Sequence, residues 1–293
     1  MLSILIPTYN YTCYKLVADL HQQAEILGVP YEIIVCEDGS RDRVSIIANH
    51  KIEELSHCRH VVNKQNQGQA ITRNQLSLMA VYDWILFIDS DAQVVSPNFL
   101  SSYVDLIDKA DVIVGGLFHP NTNADPHCSL RFKYEKEADK TRGAAFRQQN
   151  PYGKFTAFNC LLRRSVFLCI KFDENCTQYG HEDTLFGLEL RRRGISILHI
   201  DNPLLHTGID TNEAFLQKTK TALATLLTLV NKMKGGSMLL DMYNRISRYH
   251  LAWALRLCYL LFGRLMRRNL LSAHPSLKIF NLYKLCYFSK IVK

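Results

Sequence analysis

"WILFIDSDAQ", residues 84–93, begins as a strand and ends in acid. Trp84 to Ile88 read as a buried β-strand, and Asp89 and Asp91 follow at once with only Ser90 between them. Two readings of that tip stay open. Asp and Ser commonly close strands because their side chains bond nearby backbone N–H groups, so the tip can be a plain turn. Alternatively, a hard divalent cation takes carboxylate oxygens together with substrate phosphates. In open α/β sheets, substrates bind outside the carboxyl ends of the strands, where this tip would lie.

The stretches upstream alternate in type. "LSILI" (2–6) is strand-like and stops at Pro7. Residues 15–27 carry Leu16, Leu20, Ala24 and Leu27 at helical spacing, and Gly28 ends the run. "YEIIVCEDGS" (31–40) is a second strand closing in acid, residues 44–55 are helical, and 59–63 form a short strand. Residues 68–82 are helical again and lead into the opening strand, while 111–116 add a fifth. Such alternation predicts βαβ units and a mostly parallel sheet. No G-x-G-x-x-G follows the first strand, which excludes a dinucleotide fingerprint. Right-handed crossovers bring the carboxyl ends of parallel strands to one edge, so Glu37 and Asp38 would share an acidic pole with Asp89 and Asp91. There Asp38 can accept the N3–H of a pyrimidine, and Asp91 can hold a cation on a diphosphate.

Composition narrows the classes. A chain of 293 residues, 47% hydrophobic, has room for one domain of more than 200 residues and an appendage. Its nine cysteines form no C-x-x-C pair, so neither a zinc site nor a disulfide framework is expected, and a reducing compartment is. The expected first strand begins at Leu2 with no charged segment before it, which argues against a secretory signal. No run of 18 apolar residues predicts a membrane span. The formal charge of +8 is uneven: residues 240–293 hold six Arg and four Lys against Asp241 alone. The rest of the chain is nearly neutral.

Four segments in order, "ILIPTYN", "VCEDGSRD", "NQGQAITRN" and "FIDSDAQ", resemble the nucleotide-binding half of family 2 glycosyltransferases with the GT-A fold. The resemblance covers about residues 1–116. It implies an α/β, Rossmann-like, mostly parallel sheet flanked by helices, and a divalent cation, Mn²⁺ or Mg²⁺. It also implies that Pro7, Thr8 and Tyr9 hold the nucleoside, that Glu37 and Asp38 form the base-binding turn, and that Arg73 lies by the diphosphate. Asp91 becomes the metal ligand, with Asp89 nearer the ribose.

Farther along, "YGHEDTLFGLELRRRGISILHIDNPLLHTG" (179–208) places Glu182 and Asp183 at the start of a helix and Arg191 to Arg193 in its last turn. That charge order suits a helix dipole without any chemistry. The stretch also resembles the G-x-E-D segment of this family and of animal galactosyltransferases. Carried over, Asp183 is the general base that takes the proton of an attacking hydroxyl, and Glu182 is its acceptor-binding neighbour. A lone His is more often packed than ligating. His206, however, matches the late His that completes the metal site in several GT-A enzymes, whereas His119, His127 and His199 have no such match. Residues 119–153 are polar and charge-dense and are expected to form a solvated loop with one short helix.

The resulting expectation is a GT-A domain over 1–212, with a nucleotide-sugar-binding half (1–116) and an acceptor-binding half (117–212). A helical, basic extension follows over 213–293. The activity implied is inverting, metal-dependent transfer of one sugar from a UDP-sugar to a hydroxyl of a glycan or lipid-linked glycan, in surface polysaccharide synthesis. The Q-x-x-R-W element of processive members is missing, which favours single transfer. Rival readings are a polyprenyl-phosphate hexosyltransferase and an inactive sugar-nucleotide-binding protein. On a helical wheel, residues 245–267 place Arg245, Arg248, Arg256, Arg264 and Arg267 in one arc. Leu251, Ala254, Leu255, Cys258, Leu261, Phe262 and Leu265 oppose them, and Gly263 is a candidate kink. Such a helix either packs on the domain or lies on an anionic membrane, which would make the enzyme cytoplasmic and peripheral at the inner face. No nucleic-acid module is present.

Overall fold

A computed structural model describes residues 1–122, 125–176, 180–233 and 235–292. Ten strands and twelve α-helices follow one another along these residues. They are β1 (Leu2–Thr8), α1 (Tyr14–Leu27), β2 (Tyr31–Glu37), α2 (Arg43–His50), β3 (Cys58–Val62) and α3 (Gln69–Met79). Next come β4 (Trp84–Ile88), β5 (Ala92–Gln93), α4 (Phe99–Val104), β6 (Val112–Val114), β7 (Leu117–Phe118), α5 (Ser129–Asp139) and α6 (Ala144–Gln148). Then follow β8 (Asn159–Arg163), α7 (Arg164–Ile170), α8 (Glu182–Arg192), β9 (Ile197–His199) and β10 (Leu204–His206). The chain closes with α9 (Asn212–Thr228), α10 (Met238–Arg248), α11 (Ala252–Leu270) and α12 (Leu277–Ile291).

Chain contacts divide the molecule into two compact units. One comprises Met1–His119, Thr141–Thr177 and Glu182–Gly208; the other comprises Pro120–Lys140, Gln178–His181 and Ile209–Lys293. The first unit is built on a seven-stranded sheet of order β3-β2-β1-β4-β8-β6-β9, in which only β8 runs antiparallel to its neighbours. β1, β2 and β4 are buried along their whole length, which is why they read as mostly apolar runs rather than as alternation, with Ser3 and Glu32 hydrogen-bonded to each other inside β1 and β2. Two clusters cover the sheet faces. Ile4, Leu20, Leu86 and Phe99 belong to one, and Leu5, Leu76, Phe87 and Phe186 to the other. The architecture is the α/β, mostly parallel arrangement expected.

The 119–153 region departs from expectation. Instead of a solvated loop with one short helix it contains α5 and α6. Arg147 on α6 is buried and donates to the carbonyls of Val114 (3.0 Å), Gly115 (3.2 Å) and Ile200 (2.6 Å), and to Nδ1 of His199 (2.7 Å). A side chain with five donors can satisfy several carbonyls at once, and a count of charges does not reveal it. His199 is packed and neutral: burial lowers its pKa to about 4.

The second unit gathers α5, α9, α11 and α12 around Leu130, Phe215, Leu216, Met266, Leu270, Phe280 and Tyr283, and α10 packs Tyr243 against Phe288 of α12. Its helix pattern also departs from the sequence reading. A single helix through 245–267 is not formed: α10 ends at Arg248, and His250 adopts a left-handed φ of 57° before α11 begins. Gly263 lies inside α11, which continues past it to Leu270. Among the described residues, no helix is long and apolar enough to cross a membrane.

Candidate active site

β1, β2 and β4 end at one edge of the large sheet, and antiparallel β8 begins there. Asp89 follows β4 directly: its N–H donates to the carbonyl of Phe158 (3.1 Å), and its own carbonyl receives the N–H of Ala92 (3.1 Å). The backbone therefore does turn at the acidic tip. The turn also aims both carboxylates outward, with the side chains of Asp89 and Asp91 21% and 29% exposed.

A small three-stranded sheet of order β5-β10-β7 then brings in the late histidine. Its register sets His206 opposite Ala92, and Nε2 of His206 lies 2.8 Å from Oδ2 of Asp91. The Asp91 carbonyl accepts both the N–H and the hydroxyl of Thr207, at 3.0 and 2.8 Å. Gly208 lies close against this carboxylate: a Cβ there would sit 2.3 Å from Asp91 Oδ2 and would force the Asp91 side chain to move. His119, unsupported by sequence, is a residue of this site: its Nε2 is 2.8 Å from Nδ1 of His206. Only the pairing of β7 with β10 reveals it, since 87 residues separate the two histidines.

A carboxylate and an imidazole side by side suit a divalent cation that keeps substrate oxygens and water as its other ligands, and the imidazole favours Mn²⁺ over the harder Mg²⁺. No group of three such side chains converges among the described residues, so the protein would provide two ligands at most from this pair.

Arg73 ties the acidic tip to the base candidate. It projects from α3, is 2% exposed, donates to Asp89 Oδ1 (2.6 Å), and has Nη1 3.8 Å from Asp183 Oδ1. Burial works against its charge, but Asp89, Asp183 and Glu182 overcome it and raise its pKa above the ordinary value. The Phe172 ring, 5.4 Å from the guanidinium carbon, covers the cation.

Asp183 stands in the first turn of α8, as predicted. Its Oδ2 accepts from the Thr156 hydroxyl (3.0 Å) and the Ala157 N–H (3.2 Å), while Oδ1 is buried without a hydrogen-bond partner. Nε and Nη1 of Arg73 are likewise buried without partners. Burial, opposed by Arg73 and reinforced by Glu182 and Asp89, pushes the Asp183 carboxyl from 3.8 up to about 6. An orphaned carboxylate oxygen of raised basicity beside orphaned guanidinium donors is a site prepared for an external group.

The other acidic strand end is organised differently. Asp38 is buried, with Oδ1 accepting from the Gln67 N–H (3.0 Å) and Asn63 Nδ2 (3.2 Å), and Oδ2 from the Gly68 N–H (2.9 Å). It thereby fastens the loop that precedes α3. Glu37 is fully buried among Ser40, Asn49 (3.0 Å) and His60 (3.3 Å). Burial is outweighed by the hydrogen bonds from His60, Ser40 and Asn49, so its pKa falls below the ordinary 4.5. Glu37 thus has its carboxylate oxygens engaged by protein groups. Pro7 and Thr8 are buried at the end of β1, and Tyr9 is exposed just beyond it.

Residues 3–171 match the model of glycosyl transferase family 2. The chain belongs to that family. A glycosyltransferase of uncharacterised specificity from Haemophilus influenzae is 33% identical over 240 residues, covering 80% of this chain and 90% of the relative. The chondroitin synthase of Escherichia coli is 25% identical over 70% of this chain, which spans only 34% of that longer protein. Among solved structures, a mannosyltransferase from Pyrobaculum calidifontis in complex with GDP-Man and Mn²⁺ aligns over 100% of this chain and 86% of its own. Its TM-score is 0.58 at 14% identity. S. aureus TarS 1-349 in complex with UDP-GlcNAc aligns over 98% of this chain and 90% of its own, with a TM-score of 0.52 at 16% identity. The fold is that of the GT-A glycosyltransferases, and the enzyme is a glycosyltransferase.

Proposed function

We propose that this glycosyltransferase moves one sugar from a UDP-sugar to a hydroxyl of a glycan or lipid-linked glycan, with inversion at the anomeric carbon. The observation that carries the reading is Asp183: a carboxylate with one orphaned oxygen and a pKa near 6, set beside Arg73 on the edge that carries the D-x-D. A sugar hydroxyl is a weak nucleophile, and a positioned base contributes on the order of 10²–10⁴-fold by taking its proton. Glu182, next on the same turn, would contact the acceptor. Pro7, Thr8, Tyr9 and Asp38 would hold the nucleoside, and Arg73 would face the diphosphate through its unpaired donors.

Asp91 and His206 would hold Mn²⁺ or Mg²⁺, with Asp89 kept by Arg73 on the ribose side. When bound, the cation would neutralise charge on the departing diphosphate. Nothing in this arrangement requires a covalent intermediate, since one base facing one leaving group suffices for a single displacement. The absence of the Q-x-x-R-W element supports single rather than processive transfer. The matches to a chondroitin synthase and to a hyaluronan synthase support a setting in polysaccharide synthesis. We place the enzyme on the cytoplasmic side, peripheral to the membrane that would carry a lipid-linked acceptor.

A screen of UDP-, GDP- and dTDP-sugars for thermal stabilisation, with and without Mn²⁺, tests the donor. UDP-sugars should raise Tm only with the cation. Stabilisation by GDP-sugars alone would transfer the reading to a different nucleotide. The acceptor is tested with Asp183→Asn, which should lose transfer to hydroxyl acceptors. A polyprenyl-phosphate acceptor, already anionic, would still be used.

A further inference from the structure

α11 presents to solvent a face other than the one its sequence pattern suggests. Leu255, Cys258 and Tyr259 pack inward, together with buried Met266 and Leu270. Trp253, Leu257, Leu260, Leu261 and Leu265 are instead 61%, 43%, 79%, 60% and 61% exposed. At 100° per residue these five fall within an arc of about 140°, and Arg264 and Arg268 fall in the same arc. Both arginines are exposed and, among the described residues, make no ion pair. The other two arginines of the helix are engaged within the unit: Arg256 donates to the carbonyls of Ser289 and Val292, and Arg267 grips Glu213 at 2.7 Å. α11 contains no acid. α10 adds exposed Met242 and, at its ends, exposed Arg248 and Met238, with Tyr249 beyond.

We infer that this ridge is a docking surface for an anionic lipid bilayer, with Trp253, Leu257, Leu260, Leu261 and Leu265 entering the headgroup boundary and Arg264 and Arg268 meeting lipid phosphates. An apolar stripe interleaved with cations and lacking acids matches an anionic interface, where burial and charge attraction act together. A second copy of the chain fits less well. A two-fold contact across the ridge would bring Arg264 and Arg268 against like charges, and residues 240–293 offer Asp241 as their only acid. The helix cannot span a bilayer, so it lies on the surface. The inference deepens the peripheral placement proposed above but is independent of donor, metal and base, so vesicle binding and sugar transfer can fail separately.

The test uses the full chain with vesicles of phosphatidylcholine alone and of phosphatidylcholine with phosphatidylglycerol. Co-sedimentation should occur with the anionic vesicles and weaken at high salt. Trp253 emission should shift to the blue and be quenched by brominated acyl chains, whereas Trp84, buried in β4, should report nothing. Leu257→Glu with Leu260→Glu, and separately Arg264→Glu with Arg268→Glu, should each reduce partitioning at least tenfold at unchanged Tm. The quenching measurement needs no variant and therefore survives any folding defect. Equal partitioning to neutral vesicles, an unquenched Trp253, or unchanged binding by both variants would overturn the inference. So would a stable dimer in solution that the leucine variant dissociates, which would assign the ridge to a second copy.

Discussion

β2 and β4 both run buried to the same sheet edge and both end in two carboxylates, yet the two ends have opposite fates. After β2, the acids are closed in by protein donors. Asp38 takes two backbone N–H groups and an amide, and Glu37 takes a hydroxyl, an amide and an imidazole. After β4, Asp89 and Asp91 remain partly exposed, and their partners are an arginine and a histidine. Carboxylates enclosed by protein donors hold the loops around them, whereas the partly exposed Asp89 and Asp91 can also reach an external cation. The comparison teaches that the D-x-D and E-D tips are alike as sequence and differ by what surrounds them.

The largest effect should come from the open end. Asp91→Ala is expected to abolish sugar transfer, a loss of at least about 10³-fold, with Tm within ~2 °C of wild type because a half-exposed carboxylate contributes little to stability. Titration with Mn²⁺ in the presence of UDP should show the metal-dependent part of binding gone. Near-native turnover would mean that both strand ends are merely turns, and the contrast would disappear.

Asp183→Asn comes next, with kcat expected to fall at least ~10²-fold and donor affinity little changed. Because burial lifts the Asp183 carboxyl to about 6, kcat of the wild type should rise with pH below that value and level off above it. The variant should lose this limb. The sign for stability is opposite. The native state binds the proton more tightly than the unfolded chain, so between about 4 and 6 stability should fall as pH rises. Asp183→Asn should flatten that slope in a pH series of melting curves.

Much of the fold was legible because buried parallel strands leave a strong signal. The run at 84–88 is apolar throughout, those at 2–6 and 31–37 are mostly so, and Gly28 and Gly194 mark helix ends with left-handed φ of 65°. The candidate site was legible wherever a charged residue stands near a strand or helix terminus, as Asp91 and Asp183 do, with Arg73 beside Asp183. It was illegible wherever pairing decides the outcome. His119 gains its place through β7 beside β10, and Gly208 through the closeness of Asp91, which no local pattern encodes. Arg147 looked like a surface charge and is a buried anchor. In the tail, a wheel drawn through 245–267 assumed one helix. The left-handed turn at His250 breaks it, and tertiary packing selects Leu255, Cys258 and Tyr259 as the inward face.

His119→Ala should have a smaller effect. Its ring touches Nδ1 of His206 and positions the imidazole whose Nε2 meets Asp91. Loss of a partner behind a metal ligand weakens affinity on the order of 10-fold. Calorimetric titration with Mn²⁺ should show that drop, with kcat recovered at saturating metal and affinity partly restored by His119→Gln. An unchanged Mn²⁺ affinity would remove His119 from the open end.

Glu37→Gln should change turnover least, and it tests the closed end. The amide keeps the shape of the carboxylate but cannot accept at both ends from Ser40, Asn49 and His60, so one buried partner is left unsatisfied. A stability loss of about 1–3 kcal/mol is expected, with kcat at saturating donor within about threefold of wild type. The pH dependence provides a second check. The folded pKa of Glu37 lies below its ordinary 4.5, so its contribution is complete above that value and is lost as pH falls through the folded pKa. The gap in Tm between wild type and Glu37→Gln should therefore be largest near neutrality and close below about pH 4.5. A hundredfold fall in kcat at unchanged stability would move Glu37 from the closed set to the open one, and the two strand ends would then be alike in function as well as in sequence.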